Sequence, residues 1–331
     1  MRAALLERLG RPLVVADVQQ PSIGPDEVLV RTAGCGICRT DLHMQDGVAY
    51  RPNLPHILGH EPAGRVAALG AGVVGWTVGQ PVAPYLFDSC GRCNACLAGS
   101  ESQCDAITGI LGVSRSGGFA EYFSVRADNL FAVPGSIELT TAGLVSCAAI
   151  TAVHAVRRAQ LVAGQQVALI GAGGIGLMIL QILLARGHAV HVVDTSEAGR
   201  ASSLAEGAAS ADPPEDVSDG IACERVFDLV GTARSGALAG RLVRRRGRIV
   251  VIGEEPEFPA IDTIALAQRE IEIVGSRNGG KADALEALLL MADGIIRPRV
   301  TRRVRLDDIN EAFSALRGGR VHGRIVVEFP A

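Results

Sequence analysis

The chain has no long apolar run. The longest, residues 177–185, is interrupted by Gln181 and falls well short of the ~20 residues a helix needs to cross a bilayer, so it reads as a buried helix. It also has no basic excess. Its 32 lysines and arginines face 35 acids, and the net charge of −3 supplies no broad field for nucleic acid. The one dense basic cluster, Arg244, Arg245 and Arg246, reads as the solvated end of a helix. Aromatics are scarce, with one Trp, three Tyr and eight Phe beside 40 glycines. That balance implies many tight turns and close backbone approaches. The opening MRAALLERLG lacks the positive segment, apolar run and small-residue cleavage site of an exported chain, so a cytoplasmic protein is expected. Internal repeats and low-complexity stretches are missing too.

Eight cysteines are present. In a reducing compartment they stay thiols, which makes metal binding the first hypothesis. Two rhythms divide the rest of the sequence. Up to about Val133, short runs such as LVVADVQ, DEVLVRTAG, GRVAALG and AEYFSV alternate with Gly, Pro and Asp turn signals, as antiparallel strands of a barrel or sandwich do. From about Ala148, QVALIGAGG, HAVHVVD, RVFDLVG, RIVVIG and IEIVGS are near-continuous apolar strands separated by helical patterns. These predict a parallel sheet with crossover helices. A helix-like ADALEALLLMADG and a closing RIVVEF follow. The expected division is 1–148 for a β-rich domain, 149–275 for a doubly wound α/β domain, and 276–331 returning to the first.

Cys90, Cys93, Cys96 and Cys104 stand as C-x2-C-x2-C-x7-C in a glycine-studded loop spanning about 88–105. Two-residue gaps let successive thiolates turn to one point, and four of them close a tetrahedral shell with no position left for substrate. A structural zinc is expected there. Disulfides conflict with the compartment, and an iron–sulfur cluster calls for a different spacing of its fourth ligand.

In the second half, Gly171, Gly173 and Gly176 form G-x-G-x-x-G between the strand VALI and the helix LMILQILLA. In that context the glycines and the helix start, Gly174 and Ile175 included, bind a pyrophosphate. Asp194 ends the next strand, where a carboxylate holds the adenosine ribose hydroxyls and repels a 2′-phosphate. NAD is therefore expected over NADP. Arg200 is the nearby cation that could soften the preference.

The other chemistry-bearing residues lie in GCGICRTDLH (34–43), GHEPAG (59–64) and SCAAIT around Cys147. A catalytic zinc takes three protein ligands and keeps one position open, and two Cys with one His is a recognised set. Cys38, His60 and Cys147 would supply it. Taken singly, each reads more readily as a satisfied polar or packed residue, and Cys35 competes with Cys38 on spacing alone.

Taken in order, GxCxxCRTDLH, GHEPAG, the four-cysteine loop and GAGGIG resemble the zinc-dependent medium-chain dehydrogenase/reductase family, the alcohol dehydrogenases in particular. The similarity runs over essentially the whole chain. It implies a GroES-like catalytic domain and a Rossmann NAD domain, and it selects Cys38, His60 and Cys147 as ligands because only Cys38 directly precedes Arg39-Thr40-Asp41. Cys35 and Cys223 are then structural thiols.

The resemblance further implies a proton relay from substrate through Thr40 to His43, with Asp41 orienting the His60 ring and Glu61 approaching the metal transiently. Arg39 and Arg324 would contact the cofactor pyrophosphate. Met44, Val48, Tyr50, Tyr85 and Leu86 would line a pocket suited to an uncharged alcohol. Gly79-Gln80-Pro81-Val82 departs from the family's usual GDRV-like turn. The length matches the compact microbial enzymes, so a homotetramer or homodimer is expected.

The expected activity is interconversion of a primary or secondary alcohol and its carbonyl compound. Relatives acting on polyols, amino alcohols or biosynthetic intermediates are the nearest alternatives. A zinc-free quinone or enoyl reductase would lack both cysteine sets, and a non-catalytic zinc- and nucleotide-binding regulator would not need the Thr40–His43 relay.

Overall fold

The computed structural model describes residues 1–48, 50–218, 220–255 and 262–330. The chain forms two compact units. Unit 1 comprises Met1–Cys147, Gly280–Ala292 and Pro298–Ala331, and unit 2 comprises Ala148–Gly279 and Asp293–Arg297.

Unit 1 begins with β1 (Arg2–Leu6), β2 (Val14–Asp17), β3 (Glu27–Ile37), α1 (Arg39–Asp46), β4 (His56–Ile57), β5 (Glu61–Leu69), β6 (Pro81–Pro84), α2 (Asn94–Leu97), β7 (Tyr122–Arg126), β8 (Leu130–Ala132) and α3 (Leu139–Ala142). Unit 2 holds α4 (Ala148–Ala159), β9 (Val167–Ile170), α5 (Gly174–Ala185), β10 (Val190–Val193), α6 (Glu197–Glu206), β11 (Ser210–Asp212), β12 (Cys223–Asp228), α7 (Ala233–Leu242), β13 (Val243–Val251), α8 (Thr263–Gln268) and β14 (Glu272–Gly275). Then α9 (Lys281–Ala292), β15 (Val300–Arg305), α10 (Ile309–Arg317) and β16 (Arg324–Glu328) complete unit 1.

In unit 1 a seven-stranded sheet runs β15-β16-β3-β5-β6-β8, with β7 also on β3, and a three-stranded sheet runs β2-β1-β4. β3 is the spine. It pairs antiparallel with β5, β7 and β16, so its last residues and the first residues of β5 and β16 come together. The core beside it takes Leu6, Leu42, Met44, Phe119 and Ile325. Ile309, Ala312, Phe313 and Leu316 of α10 recur at helical spacing and lay one apolar stripe on that core. Deleting the Phe313 ring would cost about 3–5 kcal/mol.

Unit 2 is a parallel six-stranded sheet in the order β11-β10-β9-β12-β13-β14, the doubly wound arrangement in which ligands sit at the reversal beside β9. All four residues of β9, VALI, are buried, as a central strand covered on both faces requires. The short polar strand β11 carries no apolar run, so it is absent from the sequence reading. Two other expectations change. Arg244, Arg245 and Arg246 lie inside β13, just after its first residue Val243 and past the end of α7 at Leu242, so they are solvated but are not a helix end. Residues Asp293–Arg297 go with unit 2 because buried Gln181 of α5 takes the Arg297 amide at 2.9 Å while its own amide donates to Glu206 at 3.1 Å.

Candidate functional site: two thiolate clusters and a nucleotide cradle

The loop after β6 brings four sulfurs together. Cys93 caps α2, Cys96 lies within it, and Cys104 ends the 3-10 turn Glu101–Gln103. The four sulfurs lie within 4.8 Å of one another. Cys93 and Cys96 are 3.5 Å apart, and Cys90 and Cys96 are 4.0 Å apart. Ligands at the ~2.3 Å zinc–sulfur distance stand about 3.8 Å apart around a tetrahedron, so the cluster already has the spacing of the ion's shell. Main-chain amides pull the Cys93 thiol down to about 6, while burial pushes Cys96 up to about 12. Four adjacent thiols share charge unevenly until a cation neutralises them.

The second cluster gathers Cys38, His60, Glu61 and Cys147, whose ligand atoms also lie within 4.8 Å of one another. Each arrives from a different place: Cys38 caps α1 directly after β3, His60 precedes β5, Glu61 opens β5, and Cys147 follows the 3-10 turn Gly143–Ser146. Asp41 binds two of these segments. Its Oδ2 accepts the Cys38 amide at 2.8 Å, and its Oδ1 meets His60 Nδ1 at 3.2 Å and accepts the Gly59 amide at 3.3 Å. A proton on Nδ1 leaves Nε2 as the lone-pair atom, which is how metal-bound imidazoles are held. That Nε2 is buried and has no hydrogen-bond partner, so a cation among these side chains would complete it.

Charge in the pocket is tightly coupled. The Cys147 thiol and His60 hold Cys38 well below the ordinary thiol range, and Cys147 is correspondingly raised. Burial raises Glu61 against the opposing pull of Arg324. Arg324, the first residue of β16, is 7% exposed and donates to Glu61 Oε2, while Glu61 Oε1 is unpartnered. The structure thus places Arg324 in the wall of the metal pocket. Cys35 stays outside both clusters: its Sγ faces the Gly36 carbonyl at 3.7 Å within β3, and burial pushes its thiol well up.

In unit 2, Gly173 caps α5. A Cβ on Gly176 would stand 2.1 Å from the Gly171 carbonyl oxygen, whereas one on Gly173 would meet nothing within 4 Å. The first contact makes glycine obligatory for the tight turn, and the open space at Gly173 fits an approaching phosphate. Asp194 follows β10. Its Oδ2 accepts the Ala172 amide at 2.6 Å and its Oδ1 the Ser196 amide at 2.7 Å. The carboxylate is therefore oriented beside the glycine turn.

Residues 24–135 match the family described as alcohol dehydrogenase GroES-like domain, and residues 180–327 match zinc-binding dehydrogenase. An alcohol dehydrogenase of Geobacillus stearothermophilus is 34% identical over 99% of both chains, and an NAD-dependent alcohol dehydrogenase of Sulfolobus acidocaldarius is 31% identical over 99% of both. The chain belongs to the zinc-containing alcohol dehydrogenase family. Its fold is similar to the crystal structure of the Aeropyrum pernix alcohol dehydrogenase, with a TM-score of 0.93 at 30% identity, covering 99% of this chain and 100% of that one.

Within this zinc-containing dehydrogenase the other sequence-designated residues are distributed unevenly. Thr40 Oγ1 lies 3.8 Å from Cys38 Sγ. His43 is three residues on along α1, half-buried, and Arg39 is exposed. Tyr85 and Leu86 are buried after β6, and Tyr50 is half-buried. Val48 is exposed. Met44 has no exposed surface and packs with Leu6, Leu42 and Phe313, so in this structure it is core rather than pocket wall.

Sequence reasoning missed a polar brace anchored next to the four-cysteine loop. Arg115 donates to Asp88 at 2.7 Å and to Glu27 at 2.5 Å, and Asn129 donates to Asp88 at 2.9 Å. Asp88 lies two residues before Cys90, but no spacing pattern links it to residues so far along the chain.

Proposed function

We infer that the chain is a zinc-dependent oxidoreductase that interconverts a primary or secondary alcohol and its aldehyde or ketone, with NAD as the hydride carrier. The convergence of Cys38, His60 and Cys147 around an orphaned buried His60 Nε2 is the observation that carries this reading. When bound, zinc supplies a Lewis acid for the substrate oxygen, and NAD accepts the hydride from the adjoining carbon.

The protein's own groups hold, orient and move protons. Two thiolates and one imidazole form a three-ligand cup with a position left for substrate. Asp41 fixes the imidazole in the ligating tautomer. Thr40 accepts the substrate's hydroxyl proton at Oγ1 and gives up its own, because a hydroxyl is both donor and acceptor. His43 passes that proton to water. Arg39 and Arg324 serve the pyrophosphate, while Tyr50, Tyr85 and Leu86 favour an uncharged substrate. The four-cysteine site holds the second zinc, which is structural.

We also place the enzyme in the cytoplasm, as its eight unpaired cysteines suit a reducing compartment, and assign it a dimeric or tetrameric assembly. β14 ends the described sheet with Ile273 41% exposed, and light scattering reads the assembly directly. Metal content per chain, with NADH absorbance as the turnover assay, tests the function. Wild type should hold about two zincs, and Cys38→Ser and Cys93→Ser about one each, with turnover abolished in the first. One zinc in wild type, or full activity in Cys38→Ser, overturns the assignment.

A further inference from the structure

The helix that carries Thr40 and His43 is short. α1 has eight residues, fewer than the ~12–15 that an isolated helix needs to persist in water, so its direction is set by what grips it. Cys38 caps its start, Thr40 and His43 lie along it, and Gln45 and Asp46 end it. One face is held by apolar packing, where Leu42 and Met44 share a core cluster with Ile309, Ala312 and Phe313 of α10. The far end is held by polar contacts. Buried Gln45 donates from Nε2 to the Arg11 carbonyl at 2.9 Å, and its main-chain carbonyl accepts the Gly10 amide at 2.6 Å. Arg317, the last residue of α10, completes the grip. Its Nη1 donates to Asp46 Oδ2 at 2.6 Å, and its Nη2 donates to Asp46 Oδ1 at 2.9 Å and to Gln45 Oε1 at 2.8 Å.

Asp46 stands at the carboxyl end of α1, where a negative charge opposes the helix dipole. Local helix chemistry gives it no place there, and the Arg317 fork does. Both side chains are partly open to solvent, where a lone ion pair is worth little. A guanidinium forked over both carboxylate oxygens and holding a buried amide as well fixes direction in addition to distance. The last turn of α1 also carries His43, whose carbonyl accepts the amides of Gly47 and Val48, so a turn that frays or swings takes the imidazole with it. Resting on the reading of Thr40 and His43 as the proton relay, we propose that Arg317 is a positioning residue for the reaction. From α10 it clamps the end of α1 and keeps the His43 imidazole in line with Thr40. The same returning segment supplies Arg324 to the metal pocket, so one stretch of chain serves the ligand wall and the relay helix together.

The single-turnover rate of NADH formation from NAD and ethanol by the zinc-loaded protein tests this. Zinc content, NAD affinity and melting temperature are read on the same preparations. Arg317→Ala should slow NADH formation about tenfold, within what a misplacement of about 1 Å costs. Both zincs should stay bound, and NAD affinity should change by less than about twofold. Arg317→Lys, which keeps the charge and loses the fork, should lie between. Asp46→Asn should lose part of the same rate, and the double variant no more than Arg317→Ala, because all three break one contact. A base in the buffer can take the proton that a displaced His43 fails to pass on, so added imidazole should restore Arg317→Ala and leave wild type unchanged. A lowered melting temperature with a wild-type rate would make Arg317 a structural clamp only and overturn the proposal, as would a slow Arg317→Ala that has lost zinc or gains nothing from imidazole. His43→Gln is the control on the relay itself. If it forms NADH as fast as wild type, the relay reading fails whatever Arg317 does, whereas a slow His43→Gln beside a fast Arg317→Ala removes the clamp alone.

Discussion

Replacing Asp41 with asparagine keeps the shape of the side chain and removes one acceptor. The carboxylate serves three donors, His60 Nδ1 and the Gly59 amide on Oδ1 and the Cys38 amide on Oδ2, and it is fully buried. Asparagine offers a single oxygen. If that oxygen stays on the Cys38 amide, the new NH2 group faces His60 Nδ1, which must accept rather than donate. The imidazole proton then moves to Nε2, the atom that has to hold the metal. If the amide flips, the Cys38 N–H is left buried and unpaired at a cost of about 1–3 kcal/mol. Either arrangement weakens the site. Loss of such an orienting partner typically costs 10- to 100-fold in metal affinity, about 1.4–2.7 kcal/mol.

The four-cysteine cluster provides an internal standard. After equilibration with a competing chelator, wild type should retain about two zincs and Asp41→Asn about one, with turnover lost in proportion and the remaining zinc still on Cys90, Cys93, Cys96 and Cys104. Nitrogen chemical shifts of the His60 ring report the tautomer directly. An Asp41→Asn variant that keeps both ions at wild-type affinity and full turnover would refute the tautomer argument.

Three further outcomes follow from the structure. A Cβ on Gly36 would stand 2.1 Å from Glu61 Oε2 and 2.7 Å from the Leu144 side chain, so Gly36→Ala should cost about 2–3 kcal/mol and lower the melting temperature by about 4–12 °C, as overpacking does; a wild-type melting temperature would disprove it. Cys223 is buried and its thiol is pushed up to about 12 by that burial, leaving about one part in 10⁴ as thiolate at pH 8. Mass spectrometry should find it unlabelled by iodoacetamide in the native protein and labelled after unfolding, and rapid native labelling would contradict the assigned environment.

Glu138, bound by Arg303 at 2.8 Å, is held below its ordinary value of 4.5 by that hydrogen bond. A lowered folded-state value stabilises fully above 4.5 and is lost as pH falls through the lowered value. Glu138 is exposed, so Arg303→Gln should cost at most about 1 kcal/mol at neutral pH. Urea midpoints should show the gap closing in acid, and a gap that stays constant with pH would count against the pair.

Legibility in the sequence followed locality. The four-cysteine loop could be read because all its ligands lie within fifteen residues, and the glycine turn because strand, turn and helix are contiguous. Cys38, His60 and Cys147 are separated by long stretches of chain, and only family register joined them. The structure shows the physical cause of that register: Cys35 is still in β3, paired opposite Pro62 and Val327, whereas Cys38 is the first residue past the strand's end. The resemblance put Met44 among the pocket residues, but its position on α1 turns it to the core. β4 and β11 were invisible because two or three residues carry no periodicity. The Arg115–Asp88–Glu27 brace was invisible because its members come from three unrelated loops and strands.

Gln181 was first noticeable only as the residue that breaks an apolar run. In the folded protein its Oε1 has one partner among the described residues, the amide of Arg297, more than a hundred residues downstream. By Gly275 the whole six-stranded sheet has been translated, while the main-chain partner of Gln181 has not. The contact that completes the nucleotide-binding unit thus comes from a five-residue strap translated after the first helix of the returning segment, so that in this unit the order of synthesis and the order of contacts differ.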